Sequence, residues 1–279
     1  MKLLARRLLT SSIAIPTALV VVFFAPGDLA FTIFLAIFFL AAVELLPMVR
    51  PAAPSAPLGS LLAVIPVVSI AGFLLIRSGV SDIPTWWLPA AMSLVVLVAA
   101  MAPLIAGSEV RDGMAAMGFM AFAVPYFAIP PVSLYWLQST DPWLLLALLA
   151  IIWMGDTGAF VVGGLMGRHK LAPAISPGKT WEGAIGGLAG SMLAIVLWSL
   201  LHLGDLRPGL LAVGALTAVV AQLGDLVESV IKRGAGVKDS SNLLPGHGGF
   251  FDRMDSTLLA TPVFVAGLHW LGPETLIPG

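Results

Sequence analysis

The chain has 279 residues, of which 59% are hydrophobic and only 10% are charged, and its formal net charge at pH 7 is −1. A soluble domain usually carries about 25% charged residues, so this composition predicts an integral membrane protein. The near-neutral charge argues against a nucleic-acid partner, and the lack of cysteine excludes disulfides, iron–sulfur clusters and thiolate nucleophiles.

Nine apolar segments predict an all-α integral membrane protein, a polytopic helical bundle that forms a single membrane domain over residues 1–279. The longest uncharged runs reach the roughly 20 residues that a helix needs to cross the hydrocarbon core of a bilayer. We expect the first segment to be a retained span, because its apolar run is long and lacks a clear signal-peptide cleavage site. The predicted spans are 8–25, 28–46, 57–76, 86–106, 114–137, 142–164, 183–203, 208–228 and 256–272.

The distribution of basic residues predicts the orientation of these spans. With the N-terminus inside, 12 of the 14 Lys and Arg residues fall on the cytoplasmic side, and only Arg77 and Arg207 fall outside. Such an excess is typical of cytoplasmic loops. We therefore expect a multi-pass protein of the cell inner membrane, with the polar segments 165–182 and 229–255 on the cytoplasmic face.

Asp156, in the sequence GDTGAF, lies well inside the predicted span 142–164. A carboxylate at membrane depth is costly and by default marks a binding site or an ion path. The alternative is that the helix is broken near Gly155 and that Asp156 faces a loop.

Two pairs of acidic residues flank the polar segment 229–255. Asp225 and Glu228 share one face of the last turn of their predicted span, and Asp252 and Asp255 have the same spacing just before the next span. Carboxylates at neighbouring helix ends predict an oxygen-ligand site for Mg²⁺. The alternative is a set of salt bridges with Lys232, Arg233 and Arg253.

Basic residues and glycines in the two polar segments predict phosphate binding. The sequence His247-Gly248-Gly249 offers backbone N–H groups that a phosphate can approach closely. Contact with anionic lipids alone is disfavoured, because acidic residues such as Asp239 are interleaved with the cations. The basic residues concerned are Lys232, Arg233, Lys238, Arg253, Arg168, Lys170 and Lys179.

The same residues carry a family resemblance. The pattern Ser229-x-x-Lys232-Arg233-x₄-Lys238-Asp239, followed by Pro245-x-His247-Gly248-Gly249-x-x-Asp252-Arg253-x-Asp255, resembles the signature of phosphatidate cytidylyltransferases, also called CDP-diacylglycerol synthases. The sequences GDTGAF, SPGKTWEG and GDLVES resemble other motifs of that family, so the catalytic signature region covers roughly 150–260. The resemblance implies transfer of CMP from CTP to phosphatidic acid, which yields CDP-diacylglycerol and pyrophosphate for phospholipid biosynthesis.

The resemblance also implies roles for individual residues. We expect Mg²⁺ to be held by Asp225, Asp252 and Asp255, and the expected partners are CTP, phosphatidic acid and the lipid bilayer. A second ion and a homodimer are left open. The expected catalytic residues are Asp225, Asp252, Lys232, Arg233 and His247, and the expected substrate-binding residues are Asp156, Lys179, Lys238, Asp239, Gly248, Gly249 and Arg253.

Two other function classes are open at this point. One is a CTP-dependent kinase or a cytidylyltransferase that acts on another, isoprenoid, lipid phosphate. The other is an ion-coupled transporter, which would explain a carboxylate at membrane depth. A transporter predicts polar residues along several spans, whereas most spans here have none and the polar groups collect at one face.

Overall fold

The computed structural model describes residues 15–79, 110–244 and 248–272, together with isolated positions between 93 and 105. Most of these residues are helical. The helices, in chain order, are α1 (Ile15–Phe24), α2 (Gly27–Val49), α3 (Leu58–Arg77), α4 (Val110–Thr140), α5 (Pro142–Met166), α6 (Trp181–Trp198), α7 (Pro208–Gly234) and α8 (Phe251–Leu271).

Six of the helices in the described ranges are long and apolar enough to cross a membrane. They are α2 to α7, counting α4 from Asp112 and α6 together with the π-helical turn Ser199–Leu203 that continues it. Each overlaps a predicted span, which confirms an all-α fold typical of a polytopic membrane protein. The predicted span 86–106 and the start of 8–25 lie mostly outside the described residues, so the count of nine spans stays a prediction.

The polar segments are more ordered than the sequence suggests. Within 165–182, strands β1 (Lys170–Ala172) and β2 (Ser176–Thr180) form an antiparallel hairpin. The predicted spans 208–228 and 256–272 leave 229–255 as one loop between helices, which is wrong, because α7 continues to Gly234 and α8 begins at Phe251. Basic residues favour the last turn of a helix, where they face the negative end of its dipole, and Lys232 and Arg233 therefore extend α7.

A glycine ends α7. Gly236 has a φ of 73°, which side-chain-bearing residues rarely adopt. Around it, the N–H of Gly236 donates to the carbonyl of Arg233, and the N–H of Val237 donates to that of Lys232. This is the hydrogen-bond pattern of a Schellman motif, in which a left-handed glycine stops the helix.

Close contacts divide the chain into two compact units. The first unit is Met1–Pro16, Ala25–Trp136 and Ile231–Met254, and the second is Thr17–Phe24, Leu137–Val230 and Asp255–Gly279. The single membrane domain predicted from the sequence stays a prediction.

In the first unit, α2, α3 and α4 pack through aromatic and polar contacts. Phe31 stacks on Phe73 with ring centroids 4.2 Å apart, and Tyr135 meets both rings edge-on. The buried Oγ of Ser69 lies 2.9 Å from the carbonyl oxygen of Ile65 and 2.9 Å from that of Ala128, and its hydroxyl group donates to this pair of acceptors. Such hydrogen bonds join helices in an environment that offers no water.

In the second unit, glycines let α5 and α6 approach closely. A Cβ atom on Gly158 would collide with the carbonyl of Gly186, and one on Gly190 would collide with that of Met154. Small residues at such spacing allow backbone contact between membrane helices. Gly158 and Gly190 therefore set how closely α5 and α6 pack.

Side-chain caps fix where these two helices begin. Asp141 accepts a hydrogen bond from the N–H of Trp143 at 2.9 Å, with Pro142 as the first residue of α5. Thr180 accepts from the N–H of Gly183 at 3.1 Å at the start of α6. Both caps satisfy N–H groups that have no partner inside the helix.

We predict that Gly158→Ala destabilises the protein by about 2 kcal/mol, because the added methyl group overpacks the α5–α6 crossing. The matched control is Gly164→Ala on the same helix, where an added Cβ meets nothing within 4 Å. Thermal unfolding in detergent checks both variants. Equal unfolding temperatures for the two would contradict the packing interpretation.

Candidate active site

An acidic group lies in the second unit. Asp225 and Glu228 on α7 and Asp255 on α8 each offer a carboxylate oxygen, and these oxygens lie within 4.8 Å of one another. Glu228 is buried, and the two aspartates are partly buried. Three carboxylates this close repel one another unless a cation compensates, so the group is a candidate divalent-cation site.

A lysine from the β-hairpin supplies one positive charge. Lys179 on β2 places its Nζ 2.6 Å from Oδ2 of Asp225. The hairpin is fastened to the start of α6 by Glu182, whose carboxylate accepts from the N–H groups of Arg168 and His169 and lies 2.6 Å from Nδ1 of His169. The structure thus brings together Lys179 and Asp225, both predicted as site residues.

Asp252 lies in the first unit and is held by four donor contacts. Its Oδ1 lies 2.7 Å from Nζ of Lys232, and its Oδ2 accepts from the N–H groups of Ser240 and Gly249 and from Oγ of Ser240, each at 2.8 Å. The side chains of Lys232 and Asp252 are only 12% and 5% exposed. Two residues that the sequence predicts to be catalytic are therefore bonded to each other.

The donors around Asp252 determine its charge. Burial raises the pKa of this carboxyl, but the hydrogen bonds from Lys232, Gly249 and Ser240 together outweigh burial and lower the pKa from 3.8 to about 2. Asp252 is therefore ionised throughout the physiological pH range.

Glu44 on α2 is a second buried carboxylate of the first unit. Its Oε1 accepts from the N–H of Phe250 at 3.0 Å and from Oγ of Ser241 at 2.8 Å. Its Oε2 accepts from the N–H of Phe251 at 2.9 Å and from Oγ of Ser240 at 2.7 Å. Glu44 therefore occupies the N-terminus of α8, where free N–H groups and the helix dipole favour an anion.

The glycines predicted to admit a phosphate are close to these carboxylates. A Cβ atom on Gly249 would collide with Oε2 of Glu44, and one on Gly248 would collide with Oδ2 of Asp252. Gly248 also has a φ of 77°. In this structure the glycines let the chain's own carboxylates, rather than a phosphate, approach the backbone.

The remaining predicted residues are distributed as follows. Asp156 is exposed on α5, which runs without interruption from Pro142 to Met166, so the alternative of a broken helix is wrong. His247 lies outside the described residues. Four charged residues are exposed on or near the polar segment, namely Arg233, whose guanidinium donates to the carbonyl of Val237 at 3.0 Å, Lys238, Asp239 and Arg253.

Glu44 and the serines Ser240 and Ser241 are not among the site residues predicted from the sequence. A signal for Glu44 was available, because it lies inside the predicted span 28–46, whose one other acidic residue, Asp28, is at the very start. An ionisable residue in a membrane span indicates function. The sequence offers no comparable signal for the serines. Glu228 and Asp225 were paired by their spacing, but Glu228 was not among the predicted Mg²⁺ ligands, which included Asp252 instead.

Comparison with known proteins identifies the family. A model described as the cytidylyltransferase family matches residues 5–271. The chain belongs to the cytidylyltransferase family. This match confirms the family that the polar signature predicted.

Similar proteins in bacteria include several named phosphatidate cytidylyltransferase. The one from Pseudomonas aeruginosa is 46% identical over 129 residues, which are 46% of this chain and 47% of that protein. The one from Staphylococcus haemolyticus is 43% identical over 148 residues, which are 52% of this chain and 56% of that protein. The matched region thus spans about half the length of these curated relatives.

We predict that Lys232→Met destabilises the protein by about 3 kcal/mol, because it leaves the buried Asp252 carboxylate without its cation. The matched control is Arg77→Met, which breaks the Arg77–Asp28 pair, whose side chains are 55% and 61% exposed. An exposed pair contributes about 0–1 kcal/mol. Chemical or thermal unfolding at pH 7 measures the stability of both variants. Equal losses of stability in the two would contradict the interpretation of Lys232 and Asp252 as a buried ion pair.

The same pair predicts a pH dependence. The pKa of Asp252 is lowered from 3.8 to about 2 in the folded protein. Its ionisation therefore stabilises the fold above about pH 4, and this contribution is lost as the pH falls towards 2. The difference in stability between the wild type and Asp252→Asn should be constant from pH 5 to pH 8 and should shrink as the pH falls from about 4 towards 2. A difference that already shrinks between pH 8 and pH 5 would contradict the lowered pKa.

Proposed function

We propose that the protein is a phosphatidate cytidylyltransferase, which transfers CMP from CTP to phosphatidic acid and releases pyrophosphate. The observation that carries this proposal is the group Asp225, Glu228 and Asp255 with Lys179 bonded to Asp225, in a chain of the cytidylyltransferase family. The name shared by the bacterial relatives supports phosphatidate as the lipid substrate.

The acidic group suits Mg²⁺. Carboxylate oxygens are the protein ligands that Mg²⁺ prefers, and nucleotide-processing sites commonly bind it through one or two carboxylates plus substrate phosphates. We propose Asp225, Glu228 and Asp255 as the ligands, and the assignment of Asp252 to a metal stays a prediction. When bound, the ion would neutralise the phosphates of CTP and the charge that develops on pyrophosphate.

The chain's own residues have to align two anions. An oxygen of the lipid phosphate attacks the α-phosphorus of CTP, a P–O bond forms there, and the bond to the bridging oxygen of pyrophosphate breaks. The attacking phosphate is already ionised near pH 7, so the reaction needs alignment and charge neutralisation rather than a strong base. We assign this neutralisation to the basic residues Lys179, Lys232, Arg233, Lys238, Arg253 and His247. We propose Asp156, Asp239, Gly248 and Gly249 as further substrate-binding residues.

We propose the inner membrane as the location, with one polytopic domain and the polar segments facing the cytoplasm, where CTP is available. The bias of 12 basic residues among 14 supports this orientation. We retain nine spans in this proposal, with α1 completing the first span and α8 forming the last. A second ion and a homodimer are left open, and no residues are assigned to either.

Rival functions predict different substrates. A kinase or cytidylyltransferase for an isoprenoid phosphate would need the same cation site, so the structure of the acidic group does not separate it from the proposed enzyme. The relatives' shared name favours phosphatidate. The transporter has less support, because most of the predicted spans contain no charged residue.

We predict that the purified protein converts labelled CTP and phosphatidate to CDP-diacylglycerol only when Mg²⁺ is present. Asp225→Asn and Asp252→Asn should each abolish turnover, the first through the acidic group and the second through the Lys232 pair. Thin-layer chromatography of the lipid product measures both. Turnover of an isoprenoid phosphate but not phosphatidate would favour the rival, and no lipid-dependent use of CTP would contradict the function.

A further inference from the structure

We propose that Glu44 is a positioning residue, which holds Ser240, Ser241 and the start of α8 in place for the reaction. This inference rests on the proposed function. The observation behind the inference is a carboxylate on α2 that accepts hydrogen bonds from residues about 200 positions further along the chain.

The geometry favours a holding role over direct contact with substrate. Glu44 is only 5% exposed, and both of its oxygens are already engaged by two donors each. A carboxylate with this many donors has little capacity left for a ligand. It fixes its donors instead, because each donor would otherwise be a buried polar group without a partner.

The donors held by Glu44 belong to the segment that carries the signature. Phe250 and Phe251 precede Asp252 directly, and Ser240 follows Asp239. Oγ of Ser240 lies 2.7 Å from Oε2 of Glu44 and 2.8 Å from Oδ2 of Asp252, so the two carboxylates share the single hydroxyl hydrogen of this serine. Asp252 in turn holds Lys232. Movement of Glu44 would therefore be transmitted to residues that we assign to the reaction.

An apolar residue at this place on α2 would be the ordinary choice for a helix in a membrane. A buried carboxylate there is costly and persists only where donors compensate for its lost hydration. Its four donors come from one short segment. The contact therefore fixes one polar segment, and it does not contribute to general packing between apolar helices.

The test compares Glu44→Gln with the wild type. The amide replaces one acceptor oxygen by a donor, which would face a backbone N–H or a serine hydroxyl that also donates. We expect hydrogen–deuterium exchange at Phe250 and Phe251 to accelerate by about tenfold or more. We expect kcat to fall about 100-fold with little change in the KM for CTP, because misplaced groups impair the reaction more than binding.

Two further variants keep the test decisive. Ser69→Ala removes a buried hydrogen bond of the same unit, between α3 and α4, and should change neither the exchange at α8 nor kcat. Ser241→Ala removes one of the four donors and should give a smaller change in the same direction, which is measurable even if Glu44→Gln does not fold.

Three results would overturn the proposal. The first is hydrogen–deuterium exchange at Phe250 and Phe251 of Glu44→Gln that equals that of the wild type. The second is faster exchange in this variant with an unchanged kcat, and the third is a lower kcat with unchanged exchange. The exchange measurement needs no substrate. If the wild type fails to use phosphatidate, the proposed function fails, while the exchange at Phe250 and Phe251 still shows whether Glu44 holds the segment.

Discussion

Buried carboxylates can persist only where donors or cations compensate for the water that they lose, and this constraint shapes the polar part of the molecule. Glu44 and Asp252 meet it with backbone N–H groups, serine hydroxyls and Lys232. Asp225 meets it in part with Lys179. Asp252, and Glu44 on α2, therefore hold the described parts of the polar segment, in a chain that is otherwise dominated by apolar packing.

The two acidic groups have different chemical capacities. Asp252 and Glu44 each accept from a full set of donors, and such carboxylates stabilise a conformation. Asp225, Glu228 and Asp255 bring three negative charges together, and a cation would relieve their repulsion. Acidic residues that look equivalent in the sequence thus divide into those that hold the backbone and those suited to hold an ion.

The sequence predicts the helices well, because an apolar run long enough to span a bilayer leaves the backbone few alternatives. The pairing of Asp225 with Glu228 is also predictable, since helical spacing places them on one face. The ends of α7 and α8 were not predictable in this way. The end of α7 depends on Gly236 in its left-handed conformation. The start of α8 depends on hydrogen bonds that Glu44 accepts from backbone N–H groups, and these bonds join distant parts of the chain.

The partners within the site also required the structure. Spacing indicates which residues share a helix face, but it does not show that Lys232 bonds to Asp252 or that Lys179 bonds to Asp225. The most direct test of the proposed cation site is the binding of Mn²⁺, followed by electron paramagnetic resonance, to the purified wild type and to Asp225→Asn and Glu228→Gln. We predict that both substitutions weaken Mn²⁺ binding by about tenfold or more. Wild-type affinity in both variants would contradict it.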